Sequence, residues 1–117
     1  MITVKGLTKK YLLGRTQIGA LQGVSLSINE GDMVCIMGPS GSGKSTLLNI
    51  IGCLDKPDKG EVFIDNHPVS GLGRNDLAEL RANMIGFIFQ TFNLIPVLNV
   101  YENIEFPMHI NKSVPGK

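Results

Sequence analysis

The sequence predicts an α/β fold in which an N-terminal antiparallel β subdomain precedes a phosphate-loop core. Three observations predict it. The segment Gly38-Pro39-Ser40-Gly41-Ser42-Gly43-Lys44-Ser45-Thr46 satisfies G-x-x-x-x-G-K-[ST] at every required position. The segment follows an apolar run, Met33-Val34-Cys35-Ile36-Met37, and leads into Leu47, Leu48, Ile51 and Leu54, which recur at helical spacing. Alternating, strand-like sequence comes before all of it.

Taken in order, Ile2-Thr3-Val4-Lys5-Gly6-Leu7 alternates at period 2 and reads as an edge strand. Val24, Leu26 and Ile28 alternate with Ser25, Ser27 and Asn29, the pattern of a strand half-buried on one face. Asn29-Glu30-Gly31-Asp32 is a turn, and the apolar run at 33–37 reads as a strand buried on both faces, as in a parallel sheet. A helix opens at Lys44. Pro57-Asp58-Lys59-Gly60 is a turn, residues 61–65 a short strand, and Asp65-Asn66-His67-Pro68 a second turn. Asn75 is placed to cap a helix over residues 75–81, with Leu77, Leu80 and Met84 on its inner face. Residues 85–89 form another apolar strand, ending at Gln90.

The loop's residue types match a chemical task. Gly38, Gly41 and Gly43 let the backbone take tight, partly positive-φ conformations, so successive N–H groups can turn inward around an anion. The following helix adds the positive end of its dipole. Lys44 supplies a compact cation for β- and γ-phosphates, the Ser45 hydroxyl is the expected Mg²⁺ ligand, and Thr46 is placed for the α-phosphate. Ser40 and Ser42 complete the cradle. The chain is expected to bind a nucleoside triphosphate, or to descend from one that did.

Composition bounds the alternatives. A chain of 117 residues, 43% hydrophobic and 18% charged, can build one core and is not of a disordered class. A net charge of +1 makes no electrostatic case for nucleic acid, and Lys5, Lys9, Lys10 and Arg15 read as a solvated face. Cys35 and Cys53 lie in apolar surroundings and read as buried thiols in a reducing compartment. No run approaches a membrane span, and no segment resembles a signal peptide. His67 and His109 have no second metal ligand at workable spacing. Asp55, Asp58, Glu61 and Asp65 read as surface and turn carboxylates, and Phe63, Phe87 and Phe89 as strand packing.

Several longer stretches carry a resemblance. These are Ala20-Leu21-Gln22-Gly23-Val24-Ser25-Leu26-Ser27-Ile28, the run from Gly38 to Asp55 (GPSGSGKSTLLNIIGCLD), Leu80-Arg81, and Ile85-Gly86-Phe87-Ile88-Phe89-Gln90-Thr91-Phe92-Asn93-Leu94-Ile95-Pro96. With them the chain resembles the N-terminal half of an ABC-transporter nucleotide-binding domain, most closely the lipoprotein-release and macrolide-efflux branch. The resemblance implies a P-loop NTPase core within an incomplete ABC nucleotide-binding domain: residues 1–117 would run from the β subdomain through the P-loop and the Q-loop, with the helical subdomain starting near 91–117.

The same resemblance implies that Tyr11 stacks on adenine, although an aromatic cover of the core is the other reading of that residue. Only the ring is needed for stacking, so Phe or Trp there is expected to be tolerated. The resemblance also makes Gln90 a sensor of the γ-phosphate that touches Mg²⁺ or its water, so Lys44 and Gln90 become the catalytic candidates and Ser45 and Gln90 the metal candidates. It implies ATP and Mg²⁺ as cofactors and a second nucleotide-binding domain as partner in a homodimer. A membrane-spanning permease would bind the surface containing Phe92, Leu94, Pro96, Tyr101 and Glu102. The location implied is the cytoplasmic face of a membrane. Asn99-Val100 stands where the family usually has Thr-Ala, and Lys59 where it has a small polar residue.

The family's hydrolysis also needs an Asp and Glu at the end of a later strand, a signature LSGGQ loop and a switch His, and none occurs in residues 1–117. The 117-residue chain by itself is therefore expected to be inactive, as part of an ABC-type ATPase whose complete form couples hydrolysis to export or release of a lipid, lipoprotein or amphipathic drug. Two other readings stand beside it. A soluble kinase or GTPase-like switch would lack Tyr11, the Gln90 motif and the N-terminal β layer. A truncated nucleotide- or partner-binding module would keep all three and never hydrolyse anything.

Overall fold

The structure, a computed structural model, describes residues 1–110. The chain divides into two compact units, Met1–Leu77 and Ala78–Lys117.

In the first unit, strand β1 (Ile2–Leu13) turns at Gly14-Arg15 into β2 (Thr16–Ile28), and the two pair antiparallel from Ile2↔Ile28 to Leu13↔Thr16. The other edge of β1 pairs with β3 (Lys59–Ile64), which hairpins into β4 (His67–Pro68), giving the sheet order β2-β1-β3-β4. The N-terminal antiparallel layer is thus as expected, but β1 is an interior strand and not an edge. Alternation reports which face of a strand is buried, and it carries no information about how many of its edges are paired. The register of β1 shifts between Val4 and Leu7, and this bulge lets both of those side chains point into the core although they are three apart. The Ser25 hydroxyl accepts the Gly6 N–H there at 2.8 Å. In the β3–β4 hairpin, Asp65 and Asn66 both take positive φ (46° and 64°), the requirement of a two-residue turn that suits right-twisted strands.

Helix α1 (Lys44–Ile51) packs on this sheet through Leu47, Ile50 and Ile51, which join Val4, Leu7, Leu21, Val62 and Ile64 in the core. Leu48 and Leu54, expected on the same face, are exposed, and Ile50 takes the place that spacing assigned to them. Leu54 lies beyond the helix, which ends in a Schellman motif: Leu54 N–H donates to Asn49 O (2.8 Å) and Cys53 N–H to Ile50 O (3.1 Å). The left-handed position of that motif is held by Cys53 (φ 58°), so the helical period stops one turn early.

The run at 33–37 forms no ladder among the described residues. Met33, Val34 and Met37 are exposed, and so is Cys35, in contrast to the buried thiol expected; Cys53 is buried as expected. A strand buried on both faces needs a neighbour on each side, and the four-stranded sheet does not include this segment. Helix α2 (Arg74–Met84) begins one residue earlier than expected. Its N-cap is Gly73, whose carbonyl accepts Leu77 N–H (3.0 Å) while Asp76 accepts Gly73 N–H (3.3 Å), so Asn75 does not cap it. Leu77 is buried, Leu80 is half-buried and Met84 is exposed.

In the second unit, residues 85–89 also lack a ladder among the described residues. Ile88 is fully exposed, and Phe87 and Phe89 stack on each other at 5.7 Å. Helix α3 (Val100–Ile110) opens with a capping box: Asn99 Oδ1 accepts Glu102 N–H (3.0 Å) and Glu102 Oε2 accepts Asn99 N–H (2.8 Å). Asn103 ties the preceding loop to the helix, accepting Ile95 N–H (2.8 Å) and donating to the carbonyls of Ile95, Leu98 and Asn99. His109 pairs with Glu105 at 3.6 Å. The part of the expected helical-subdomain start beyond residue 110 lies outside the described residues.

Candidate functional site

The loop at 38–46 follows the run at 33–37, which joins no ladder among the described residues, and its Lys44-Ser45-Thr46 form the first turn of α1. Gly43 is the N-cap of the helix, at φ 91°, and no side chain caps the helix. The N–H groups at its start therefore keep their donors for something other than protein side chains. Gly43 also lies against β2: a Cβ there would stand 2.3 Å from Ala20 O, so the loop can sit on the strand only with glycine at this position. A cleft of about 250 Å³ opens at this junction. It is lined by Ile18 and Ala20 from β2 and by Ser40, Gly41, Gly43, Lys44, Ser45 and Thr46.

Within the loop, Lys44 Nζ donates to Gly38 O (2.8 Å) and Pro39 O (2.7 Å) and lies 3.4 Å from Ser42 Oγ. Two carbonyls thus hold the ammonium at the rim of the cleft instead of letting it range through solvent. The Ser45 side chain is exposed at the same rim. The donor set consists of backbone amides at a helix start, one ammonium and one hydroxyl. It fits a polyphosphate, and the single hard oxygen of Ser45 fits Mg²⁺, which keeps several of its own waters as ligands.

Tyr11, near the end of β1, is opposite Ile18 in register. Its hydroxyl donates to Asp55 Oδ2 at 2.8 Å. Lys9 Nζ lies over the ring at 5.2 Å from its centroid, donates to Asp55 Oδ1 at 2.9 Å and also reaches Lys56 O at 2.6 Å. Burial opposes ionisation of the Asp55 carboxyl, but hydrogen bonds from Lys9 and Tyr11 outweigh it and hold its pKa below the usual range. Burial and the hydrogen bond to Asp55 push the Tyr11 phenol up, with Thr46 pulling the other way. Burial also works against the Lys9 ammonium, yet Asp55 raises its pKa above the ordinary value. The structure therefore brings Tyr11 beside the loop helix and makes Asp55 its partner. Reading Asp55 as a plain turn carboxylate missed this pairing, because no spacing rule links a strand residue to one 44 positions away.

Gln90 belongs to the second unit, where it is exposed at a bend after residues 85–89. The same unit contains an apolar hollow of about 350 Å³, lined by Leu94, Ile95, Pro96, Leu98, Val100 and Ile104 around Asn103. Of the surface residues expected to meet a partner, Leu94 and Pro96 line this hollow, Phe92 and Tyr101 are exposed, and Glu102 is occupied in the capping box. Among the described residues no group of three or more His, Cys, Asp or Glu side chains could hold a metal, and no helix is long and apolar enough to cross a membrane.

The sequence profile of the family described as ABC transporter matches residues 21–115. The chain belongs to the ABC transporter family. This ABC chain is 56% identical over 108 residues to the ABC transporter ATP-binding protein MJ0796 of Methanocaldococcus jannaschii, covering 92% of its own length and 46% of that protein. It is 47% identical over 108 residues to the macrolide export ATP-binding/permease protein MacB of Bdellovibrio bacteriovorus, covering 92% of itself and 17% of MacB. In structure it superimposes on the dimeric MJ0796 cassette with a TM-score of 0.93 at 52% identity, covering 100% of this chain and 50% of that one. A second MJ0796 structure, described as a post-hydrolysis state bound to ADP and Pi, gives 0.93 at 51% identity with the same coverage. The ABC cassette fold anticipated from the sequence is thus the fold of this chain. The chain spans about half the length, or less, of the relatives it matches.

Proposed function

We propose that residues 1–117 are the N-terminal part of one ABC-type nucleotide-binding domain, running from the β subdomain through the phosphate loop and Gln90 to the start of a helical subdomain near 91–117. In this reading the whole protein binds and hydrolyses Mg·ATP and couples that cycle to export or release of a lipid, lipoprotein or amphipathic drug by a membrane partner. The observation that carries the reading is the junction at Gly43. There an uncapped helix start, pressed against Ala20, exposes its amide donors beside Lys44 and Ser45. Likeness to a cassette described as bound to ADP and Pi adds support.

In the proposed site, the backbone from 38 to 46, with Ser40 and Ser42, wraps the β-phosphate. Lys44 leaves the carbonyls of Gly38 and Pro39 to meet the β- and γ-oxygens, and Thr46 faces the α-phosphate. Ser45 would hold Mg²⁺, which when bound neutralises charge on the terminal phosphates, and Gln90 is proposed as the other metal and catalytic candidate. Tyr11 offers its ring to adenine, with Ile18 beside it. These residues position and neutralise and do no covalent chemistry, as phosphoryl transfer to water demands. Turnover would need a second nucleotide-binding domain across the loop, which makes a homodimer the working unit. The hollow at 94–104 suits a short apolar helix from a permease, which would put the protein on the cytoplasmic face of a membrane.

The test is the concentration dependence of ATP turnover by the full-length protein, with Lys44→Ala as the baseline. A rate that climbs more than linearly and disappears in the variant supports the proposal. Turnover linear in protein and indifferent to Lys44 favours a soluble enzyme. No turnover despite tight nucleotide binding favours a non-hydrolysing module.

A further inference from the structure

We infer that Asp55 is a positioning residue for nucleotide base recognition: it holds the Tyr11 hydroxyl and so fixes the ring as a preformed platform beside the phosphate loop. The inference rests on the proposed stacking role of Tyr11. Four observations carry it.

The first is that Tyr11 lies close to the free tip of the β1–β2 hairpin, where Leu12 and Leu13 are 72% and 71% exposed. Tyr11 itself is 40% exposed, so packing covers only part of the ring and its hydroxyl contact is needed to fix the χ angles. Second, that end of β1 is fastened to the segment following α1 at three points in succession. Thr8 O accepts Asp58 N–H (2.9 Å), Lys10 N–H donates to Asp58 Oδ2 (2.7 Å), and the Tyr11 hydroxyl donates to Asp55 Oδ2 (2.8 Å). Third, the Schellman turn at Cys53 redirects the chain so that Asp55 arrives at β1, and Asp55 N–H is itself tied back to Asn49 O (3.2 Å). Fourth, Lys9 holds the other carboxylate oxygen and lies over the ring, so Asp55 is fixed from two sides and the ring is backed on one face.

The consequence is that phosphate and base sites share one support. Helix α1 begins at the phosphate loop, and its end delivers the carboxylate that orients the base platform. A rigid aromatic face costs less to order on binding than a mobile one. The phenol oxygen therefore matters as well as the ring, and the tolerance of Phe expected from stacking alone is revised: Tyr11→Phe should behave like a loss of Asp55.

The experiment compares affinities of the full-length protein for ATP and for inorganic triphosphate, which has no base. In Asp55→Ala, ATP binding should weaken by roughly tenfold, the scale of one hydrogen bond to a charged group, while triphosphate stays within about twofold. Tyr11→Phe should match it, and adding Asp55→Ala to Tyr11→Phe should cost nothing further. Independently, ring ¹³Cζ NMR of Tyr11, its signal identified by its loss in Tyr11→Phe, should show ionisation at lower pH in the fold-preserving variant Asp55→Asn.

Equal losses for ATP and triphosphate would overturn the inference, because Asp55 would then be supporting the fold. Unchanged ATP affinity in Asp55→Ala, or an unmoved Tyr11 titration, would overturn it too. If Tyr11→Ala leaves ATP affinity intact while the titration still moves, the stacking reading is what failed, and the inference falls with it.

Discussion

At the scale of single residues, the site depends on positions where one atom more or less changes the outcome. Gly43→Ala places a methyl group 2.3 Å from the Ala20 carbonyl on a backbone at φ 91°. It should destabilise the first unit by about 3 kcal/mol, the upper end of what strained backbone costs, and chemical denaturation measures this directly. The Lys9–Tyr11–Asp55 cluster makes a pH prediction of definite sign. The pKa of Asp55 is lowered from 3.8 by folding, so its contribution is complete above that value and is lost as pH falls through the lower folded value. The pKa of Tyr11 is raised from 10.0 and that of Lys9 from 10.5, so their contributions are complete below those values and fade as pH rises through the higher folded ones. The amide protection of Lys10 and Asp58 should accordingly stay flat between the two limits and fall outside them. Reading the loop at this scale needed only the order of residues, because its chemistry is local and contiguous. Asp55 was not legible that way: its role depends on β1 and the end of α1 meeting in space.

At the scale of elements, type was easier to read than neighbours. The helix from Lys44, the alternation of Val24, Leu26 and Ile28, and a turn at Asp65-Asn66 are set by local periodicity and backbone preference and are found where expected, whereas His67-Pro68, expected in the same turn, pair with β3 as β4. The interior place of β1 and the small rotation of the buried face of α1 that exposes Leu48 and buries Ile50, while Leu47 and Ile51 stay inside, depend on what packs alongside, which periodicity does not encode. Asn99, marked in the sequence only as a departure from the family's usual Thr, also has an element-level meaning, since it caps α3 reciprocally with Glu102. Asn99→Ala should cost about 1 kcal/mol of local stability and speed hydrogen exchange in the first turn of α3. Asn99→Ser should retain most of that protection, because its hydroxyl can accept the same Glu102 N–H.

At the scale of the whole molecule, the eleven hydrophobic side chains buried among the described residues all lie in the first unit, whereas Met33, Met37, Ile88 and Phe92 are 86–102% exposed. The runs at 33–37 and 85–89 have the composition of central strands, and among the described residues they have no ladder to join. The chain spans about half of the cassette on which it superimposes. The 117-residue chain alone should therefore self-associate at micromolar concentration in sedimentation analysis, and Ile88→Lys should reduce this. Above all, the loop at 38–46 is proposed as the place where a nucleotide binds. Calorimetric titration of Mg·ATP into the full-length protein tests that most directly. Binding should be saturable and should weaken at least about tenfold in Lys44→Ala, where the cation facing the terminal phosphates is gone while the loop's amides remain. Equal binding by the two proteins would contradict the proposal.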